Sequence, residues 1–317
     1  MKIVVLDAGT LGDDLSLSPL SGFGEVAVYR ETPPDEVAAR LSDADIAVLN
    51  KVRLGDQNLG DAKNLKLICI TATGFDNVDT EYCRAAGIGV VNVVGYSTDS
   101  VAQITLSLVL SLCSHLREYD EYVRSGAYSA GTAHNRLIPV YHELAGKTWG
   151  VVGYGNIGRR VAGVAAALGC RVVCSRSNPT GEEPDAVLPL DELLRVSDVV
   201  TLHVPLNEGT RNLISRERIA LMKPDAILVN AARGGVWDEA AVAEALLAGK
   251  IGGIASDVYA REPMEKDHPF ASLAGSDRAI FTPHMAWGAY EARVRCLDDV
   301  CQSIRSFLAG GKRSRIV

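Results

Sequence analysis

At 317 residues, the chain is too long for one ordinary hydrophobic core and predicts two domains. Its 47% hydrophobic and 22% charged residues exclude a disordered or fibrous protein. The formal net charge of −7 argues against nucleic-acid binding, which needs clustered basic residues.

Short apolar strands alternate with helical segments along the chain. We predict strands at Ile3–Leu6, Val26–Tyr29, Ile46–Leu49, Leu67–Ile70, Val90–Val93, Trp149–Val152, Arg171–Cys174, Val199–Leu202, Ala226–Val229, Gly253–Ser256 and Ile280–Phe281. We predict helices at Pro34–Leu41, Ile157–Leu168, Leu190–Val196, Glu239–Ala248 and Glu291–Leu308. This alternation is typical of βαβ units and predicts an α/β fold with parallel sheets.

The apolar segments do not have the form of membrane or export signals. The N-terminal apolar run is too brief for a signal sequence, and Val101–Leu112 is too short and too polar to span a bilayer. We interpret Val101–Leu112 as a buried helix that begins near Ser100, with Gln103 completing a capping box. Seven cysteines without paired or metal-ligand spacing indicate reduced thiols. We therefore expect a cytoplasmic, soluble protein without a membrane, nucleic-acid or metal partner.

The strongest local motif is Gly153-Tyr154-Gly155-Asn156-Ile157-Gly158, which follows a predicted strand and opens a predicted helix. Gly153 allows a tight turn, Gly155 lets a pyrophosphate approach the backbone, and Gly158 lets the helix pack closely on the strand. The N-terminus of the helix then offers free N–H groups to the phosphates. The motif in this context predicts dinucleotide binding.

The next strand ends in Ser175, Arg176 and Ser177, where the adenosine ribose of a bound dinucleotide is expected. NAD-binding proteins usually carry an acidic residue there, which accepts hydrogen bonds from the 2′-hydroxyl. This sequence has none, and an arginine pairs well with a 2′-phosphate. We expect NADP to be favoured over NAD; the alternative is that Arg176 points to solvent and NAD binds.

Three polar residues follow late strands of the second series: Arg233, Glu262 and His284. Each has a structural alternative, as a surface turn residue, a helix-initiating acid and an ordinary loop histidine. Together they meet the needs of 2-keto acid reduction, which requires a cation for the carboxylate and a proton donor for the oxygen. Arginine supplies the cation, histidine the proton, and glutamate a partner that favours the imidazolium.

The chain as a whole resembles the D-isomer-specific 2-hydroxyacid dehydrogenases. The motifs that carry the resemblance are Gly153–Gly158, His203-Val-Pro-Leu206, Asn230-Ala-Ala-Arg-Gly234, Asp257-Val, Glu262-Pro263 and Pro283-His284. The resemblance implies that Arg233 binds the substrate carboxylate and carbonyl. It also implies that His284 is the general acid and base, and that Glu262 orients and charges it.

The resemblance further implies which residues bind the cofactor and the substrate. Cofactor contacts are expected from the glycine motif, from Ser175, Arg176 and Ser177, and from His203, Val204, Pro205, Thr210, Ala231 and Asp257. Substrate contacts are expected from Asn50, Lys51, Thr73, Gly74, Arg233 and Trp287. The alternatives are an ordinary turn at Thr73–Gly74, a domain seam at Asn50 and Lys51, and plain packing for Trp287.

The implied fold is two Rossmann- and flavodoxin-like lobes with parallel sheets, and an active site in the cleft between them. A substrate-binding domain is expected at residues 1–98 plus 286–317, and a dinucleotide-binding domain at residues 99–285. The helix Val101–Leu112 and the family together indicate a homodimer.

Two segments, Tyr96–Gln103 and His284–Gly288, resemble the glycerate dehydrogenase (hydroxypyruvate reductase) branch of this family. We therefore expect an NAD(P)-dependent reductase of a small 2-keto acid, hydroxypyruvate or glyoxylate. Two alternatives stay open. One is another dehydrogenase of the family, acting on D-lactate or D-3-phosphoglycerate, and the other is a nucleotide-sensing scaffold without catalysis.

Overall fold

The computed structural model describes residues 1–178, 181 and 186–317. The chain divides into two compact units, Met1–Ser97 with Gly288–Val317, and Thr98–Trp287. The predicted boundaries at 98/99 and 285/286 lie within two residues of these.

The described elements alternate as the sequence predicts. The strands are β1 (Lys2–Val5), β2 (Glu25–Val28), β3 (Ile46–Leu49), β4 (Leu67–Ile70), β5 (Gly89–Val91), β6 (Thr148–Val152), β7 (Arg171–Ser175), β8 (Val199–Leu202), β9 (Ile227–Asn230), β10 (Gly253–Ser256) and β11 (Ala279–Phe281). The helices are α1 (Val37–Leu41), α2 (Asp56–Leu59), α3 (Thr80–Ala86), α4 (Thr98–Cys113), α5 (Leu116–Arg124), α6 (Ala127–Ala130), α7 (Asn156–Ala167), α8 (Leu190–Val196), α9 (Arg216–Ile219), α10 (Glu239–Leu247) and α11 (Tyr290–Leu308).

The first unit contains a parallel sheet in the order β2-β1-β3-β4-β5. Strands β3 and β4 are buried along their whole length, as expected for a parallel sheet covered on both faces. The last helix, α11, packs against β4 and completes this unit. The order is that of flavodoxin-like folds.

The second unit contains a parallel sheet in the order β11-β10-β9-β8-β6-β7. The chain leaves β6 to one side for β7 and then crosses back to place β8 on the other side of β6. In open α/β sheets, ligands bind at the carboxyl ends of the strands near such a reversal. The glycine motif and all three candidate catalytic residues follow strands at this edge.

Helix α4 begins two residues earlier than the sequence predicts, and Ser100 lies inside it. The Ser100 hydroxyl donates to the carbonyl oxygen of Ala286 at 2.6 Å, so the predicted capping box is wrong. The apolar side of α4 is buried within the second unit, where the helix packs against α7 and β9. No single described helix is long and apolar enough to cross a membrane; α4 and α5 pass together by length and composition, but they are bent by 64°.

Candidate active site

The glycine loop between β6 and α7 needs its glycines for two different reasons. Gly153 has φ +92°, and a Cβ there would lie 2.6 Å from the carbonyl oxygen of His203. A Cβ on Gly158 would lie 2.1 Å from the carbonyl oxygen of Gly153, so only glycine lets α7 approach the loop this closely. A Cβ on Gly155 would meet no atom within 4 Å, which leaves the N-terminus of α7 open. The loop therefore fits the diphosphate of a dinucleotide.

Arg176 follows β7 and reaches back to the glycine loop. Its Nη1 donates to the carbonyl oxygen of Tyr154 at 3.4 Å, and the residue is half-buried. The carbonyl of the preceding Ser175 accepts from the Gly153 N–H at 2.8 Å, while Ser177 is exposed. The guanidinium therefore lies beside the loop that would hold the diphosphate, rather than pointing away into solvent.

The turn after β8 is held by a chain of polar side chains. The Trp149 indole donates to the Thr201 hydroxyl at 3.1 Å, and this hydroxyl lies 3.0 Å from His203 Nε2. Burial lowers the pKa of His203 to about 3, so its ring is neutral at neutral pH. Beyond Val204, the Thr210 hydroxyl donates to the Pro205 carbonyl at 2.6 Å and closes the turn.

The loop after β9 presents Arg233. The Asn230 side chain braces the loop, donating to the Arg233 carbonyl at 2.9 Å and accepting from the Ala232 N–H at 3.0 Å. Ala231, a predicted cofactor contact, lies in the same loop directly after the strand. Arg233 is exposed, and its Nη1 donates to the Ala232 carbonyl at 2.8 Å. The other N–H groups of its planar guanidinium can bind a carboxylate.

The loops after β10 and β11 bring Glu262 and His284 into contact. His284 Nδ1 lies 2.6 Å from Glu262 Oε2, and the other carboxylate oxygen accepts from the Tyr259 N–H at 3.1 Å. Because an ionised carboxylate only accepts, Nδ1 carries the proton in this contact. Nε2 has no hydrogen-bond partner in the part of the chain that the structure describes. The imidazole is therefore oriented by Glu262 and has its second nitrogen available.

Asp257 holds the His284 loop through hydrogen bonds to its carboxylate. The carboxylate is buried and accepts from the Thr282 hydroxyl (2.6 Å) and from the N–H groups of Met285 (2.9 Å) and Ala286 (2.9 Å). Both carboxylate oxygens therefore accept hydrogen bonds from the loop. Contact between Asp257 and the nicotinamide, which the resemblance implies, stays a prediction.

Trp287 also braces the catalytic histidine. Its indole N–H donates to the His284 carbonyl at 3.0 Å, and His284 has the left-handed φ of +53°. This hydrogen bond gives Trp287 a structural role that does not require contact with a substrate. Its predicted contact with substrate stays a prediction.

The predicted substrate residues of the first unit follow β3 and β4. Asn50 is buried, and its N–H and that of the exposed Lys51 donate to the Asp7 carboxylate at 2.9 Å and 2.6 Å. After β4, the N–H groups of Thr73 and Gly74 have no hydrogen-bond partner among residues 1–178, 181 and 186–317. Accessible N–H groups suit a carboxylate clamp, and the substrate contacts of these residues stay predictions.

Comparison with known proteins identifies the family. The profile of the D-isomer-specific 2-hydroxyacid dehydrogenase NAD-binding domain matches residues 106–286, which is more than half of the chain. A glycerate dehydrogenase of Methylorubrum extorquens is 37% identical, with 98% of this chain and 96% of the relative covered. A hydroxypyruvate reductase of Blautia hydrogenotrophica is 35% identical, with 98% of each covered.

The chain belongs to the D-isomer-specific 2-hydroxyacid dehydrogenases. A solved D-lactate dehydrogenase of Aquifex aeolicus, complexed with NAD and lactic acid, matches it with a TM-score of 0.82 and 29% identity, covering 98% of this chain and 96% of the other. The family is one of nicotinamide-dependent oxidoreductases, so the predicted enzyme class and the two-lobed α/β fold are confirmed.

Some residues that brace the site of this dehydrogenase carry no sequence signal of that role. Tyr259, Thr282 and Ser100 act through hydrogen bonds to backbone carbonyls or to Asp257, over separations of up to 186 residues. Tyr259 alone could have been suspected, because it lies two residues after the strand-end Asp257.

Proposed function

We propose that this dehydrogenase reduces hydroxypyruvate and glyoxylate to the corresponding 2-hydroxy acids and prefers NADPH. The observation that carries the proposal is the 2.6 Å contact between His284 Nδ1 and Glu262 Oε2. This contact lies at the sheet edge that also presents the exposed Arg233.

The proposed chemistry divides between the cofactor and three side chains. When bound, the reduced nicotinamide supplies a hydride to C2 of the keto acid. Arg233 binds the carboxylate and the carbonyl oxygen through its remaining N–H donors. His284 donates the Nε2 proton to the oxygen as the C2–H bond forms, so that the C=O group becomes CH–OH. Glu262 stabilises the imidazolium before the transfer.

The preference for NADPH rests on Arg176. A guanidinium that contacts the glycine loop lies close to the expected ribose and can pair with a 2′-phosphate. The strand end Ser175-Arg176-Ser177 has no carboxylate to repel that phosphate. The hydroxyls of Ser175 and Ser177 are further donors for it.

The first experiment compares initial rates with hydroxypyruvate and glyoxylate, each with NADPH and NADH. We expect higher kcat/KM with NADPH, and we expect Arg176→Asp to lower the NADPH value about 10- to 100-fold, from the loss of a charge-assisted pair worth about 1.5–3 kcal/mol. Arg171→Asp is the matched control, because it makes the same charge change at the exposed start of the same strand. Equal rates with both cofactors would contradict the role of Arg176 and leave the His284 mechanism intact.

Phosphohydroxypyruvate should be included as a further substrate. Lys51 and Arg53 are exposed cations that form no ion pair with any described residue. A phosphorylated substrate would need such cations. Higher kcat/KM with phosphohydroxypyruvate than with hydroxypyruvate would favour the phosphoglycerate branch instead.

We also propose a homodimer that associates through an apolar arm. The arm is the segment 116–141, in which Leu116, Val123, Leu137, Ile138, Val140 and Tyr141 are each at least 55% exposed. Six large apolar side chains exposed within one segment suit an interface with another protein surface better than contact with water. The arm is a better candidate than α4, whose apolar side is already covered within its own unit.

A cytoplasmic location is part of the proposal. It is supported by the seven cysteines, all of which are free thiols. Burial raises the pKa of Cys83 and Cys113 to about 11, so these thiols stay protonated and unreactive.

A further inference from the structure

Tyr259 lies where the loops of the three proposed catalytic residues meet. Gly234, in the arginine loop, packs so closely on the Tyr259–Ala260 peptide that a Cβ would lie 1.9 Å from the Tyr259 carbonyl carbon. The Tyr259 N–H donates to Glu262 Oε1 at 3.1 Å. Its hydroxyl donates to the carbonyl oxygen of Thr282 in the histidine loop at 2.9 Å. A single residue therefore contacts all three loops.

The Thr282 carbonyl is the acceptor that closes the turn around His284. The N–H of His284 donates to it at 3.1 Å, which forms a three-residue turn over Pro283. His284 then has φ +53°, a left-handed conformation that is unfavourable for a non-glycine residue. The Tyr259 hydroxyl supplies a second hydrogen bond to the carbonyl that closes this turn and so helps to hold His284 in its unfavourable conformation.

Both the hydroxyl proton and the ring of Tyr259 are fixed. Burial raises the pKa of Tyr259 to about 12, with further contributions from the nearby Asp257 and Glu262 carboxylates, so the hydroxyl remains a donor at neutral pH. The ring packs edge-on against His268 and Phe270, with centroid distances of 5.8 Å and 6.5 Å. The ring is therefore anchored by packing that does not depend on the hydroxyl.

We propose that Tyr259 is a positioning residue of this enzyme, whose hydroxyl holds the Thr282–His284 turn and thereby aligns His284 with Glu262. The proposal rests on the roles proposed above for Glu262 and His284. It assigns the hydroxyl to the chemical step and not to cofactor binding, because the hydroxyl donates to the histidine loop and, among the described residues, Tyr259 makes no hydrogen bond to residues 153–158.

The test is Tyr259→Phe, which removes the hydroxyl and keeps the ring. We expect kcat with hydroxypyruvate to fall about 5- to 13-fold, which corresponds to one lost hydrogen bond of roughly 1–1.5 kcal/mol, while KM for the cofactor changes less than about two-fold. The matched control is Ser272→Ala, which removes another hydroxyl-to-carbonyl hydrogen bond, from Ser272 to Pro269 at 2.7 Å, outside these three loops. The control should keep the wild-type kcat.

A second measurement needs no turnover. Hydrogen exchange at the N–H groups of Met285 and Ala286, which donate to Asp257, should be faster in Tyr259→Phe than in the wild type, with α10 unchanged. A wild type inert towards every 2-keto acid would contradict the proposed function, while the exchange would still test the hydroxyl. Wild-type kcat in Tyr259→Phe, or unaltered exchange at these two groups, would overturn the assignment.

Discussion

At the scale of single residues, the site is built from carboxylates whose oxygens are all committed. Both carboxylate oxygens of Asp257 accept hydrogen bonds from the loop that contains His284. One oxygen of Glu262 contacts His284, and the other accepts from the Tyr259 N–H. Asp257 thus holds the backbone of the histidine loop, and Glu262 contacts the histidine ring. Only the second contacts the imidazole, so the two acids should have separable effects on activity.

The contact between Glu262 and His284 predicts a loss of activity when the carboxylate is removed. In Glu262→Gln the neutral amide replaces the charged acceptor of the Nδ1 proton, and we expect kcat to fall about 10- to 100-fold, from the loss of a charge-assisted hydrogen bond worth about 1.5–3 kcal/mol. Glu265→Gln is the control, because Glu265 pairs with Arg261 in the same loop. Wild-type kcat in Glu262→Gln would contradict the assigned pairing.

At the scale of elements, the strands were the most predictable part of the fold. Ile46–Leu49, Leu67–Ile70, Val199–Leu202 and Gly253–Ser256 have the bounds that the sequence predicts. Buried parallel strands are continuous apolar runs between polar turns, so their ends are visible in the sequence. In contrast, helices α2, α3, α5, α6 and α9 were not predicted, because each has at most nine residues and so offers few turns in which an apolar period could be seen.

The candidate site was predictable only in part, because strand ends are visible in the sequence and the paths of the loops are not. Arg233, Glu262 and His284 follow strand ends, and the glycine loop follows a strand, so the sheet topology itself brings them to one edge. The contact between His284 and Glu262 spans 22 residues and depends on the paths of two loops. Loop paths are set by tertiary hydrogen bonds, such as that from Tyr259 to Thr282, and local sequence does not encode these.

Helix α7 allows a paired test of the glycine argument. Gly158→Ala places a Cβ 2.1 Å from the Gly153 carbonyl oxygen, so we expect Tm to fall by several degrees and KM for the cofactor to rise. Gly163 is exposed in the same helix, and a Cβ there meets nothing within 4 Å. Gly163→Ala should therefore stabilise the protein by about 0.5–1 kcal/mol. The argument fails if both variants shift Tm in the same direction.

At the scale of the whole molecule, the apolar arm is the feature that an isolated chain leaves unexplained. Its side chains belong to α5 and to the loop before β6, and they are exposed on their own unit. A second copy of the chain would cover them. The exposure of these side chains is therefore the reason for proposing that two copies of the chain associate.

The arm predicts a change of oligomeric state. We expect the wild type to sediment as a dimer, and the double variant Leu137→Asp/Ile138→Asp to sediment as a monomer, because burying two carboxylates in an apolar interface is costly. Leu247→Asp is the control, since Leu247 is equally apolar and exposed at the end of α10. A wild type that sediments as a monomer at micromolar concentration would remove the proposed interface.

The three neighbouring strands β9, β10 and β11 carry the arginine, the glutamate and the histidine in that order. This arrangement has an evolutionary consequence. Because the reactive groups share one edge of one sheet, mutations elsewhere can redirect the enzyme towards a new acid without rebuilding the proton donor. Directed evolution should accordingly leave the loops after β9, β10 and β11 untouched and draw its diversity from the predicted substrate loops after β3 and β4 and, for a switch of coenzyme, from the end of β7.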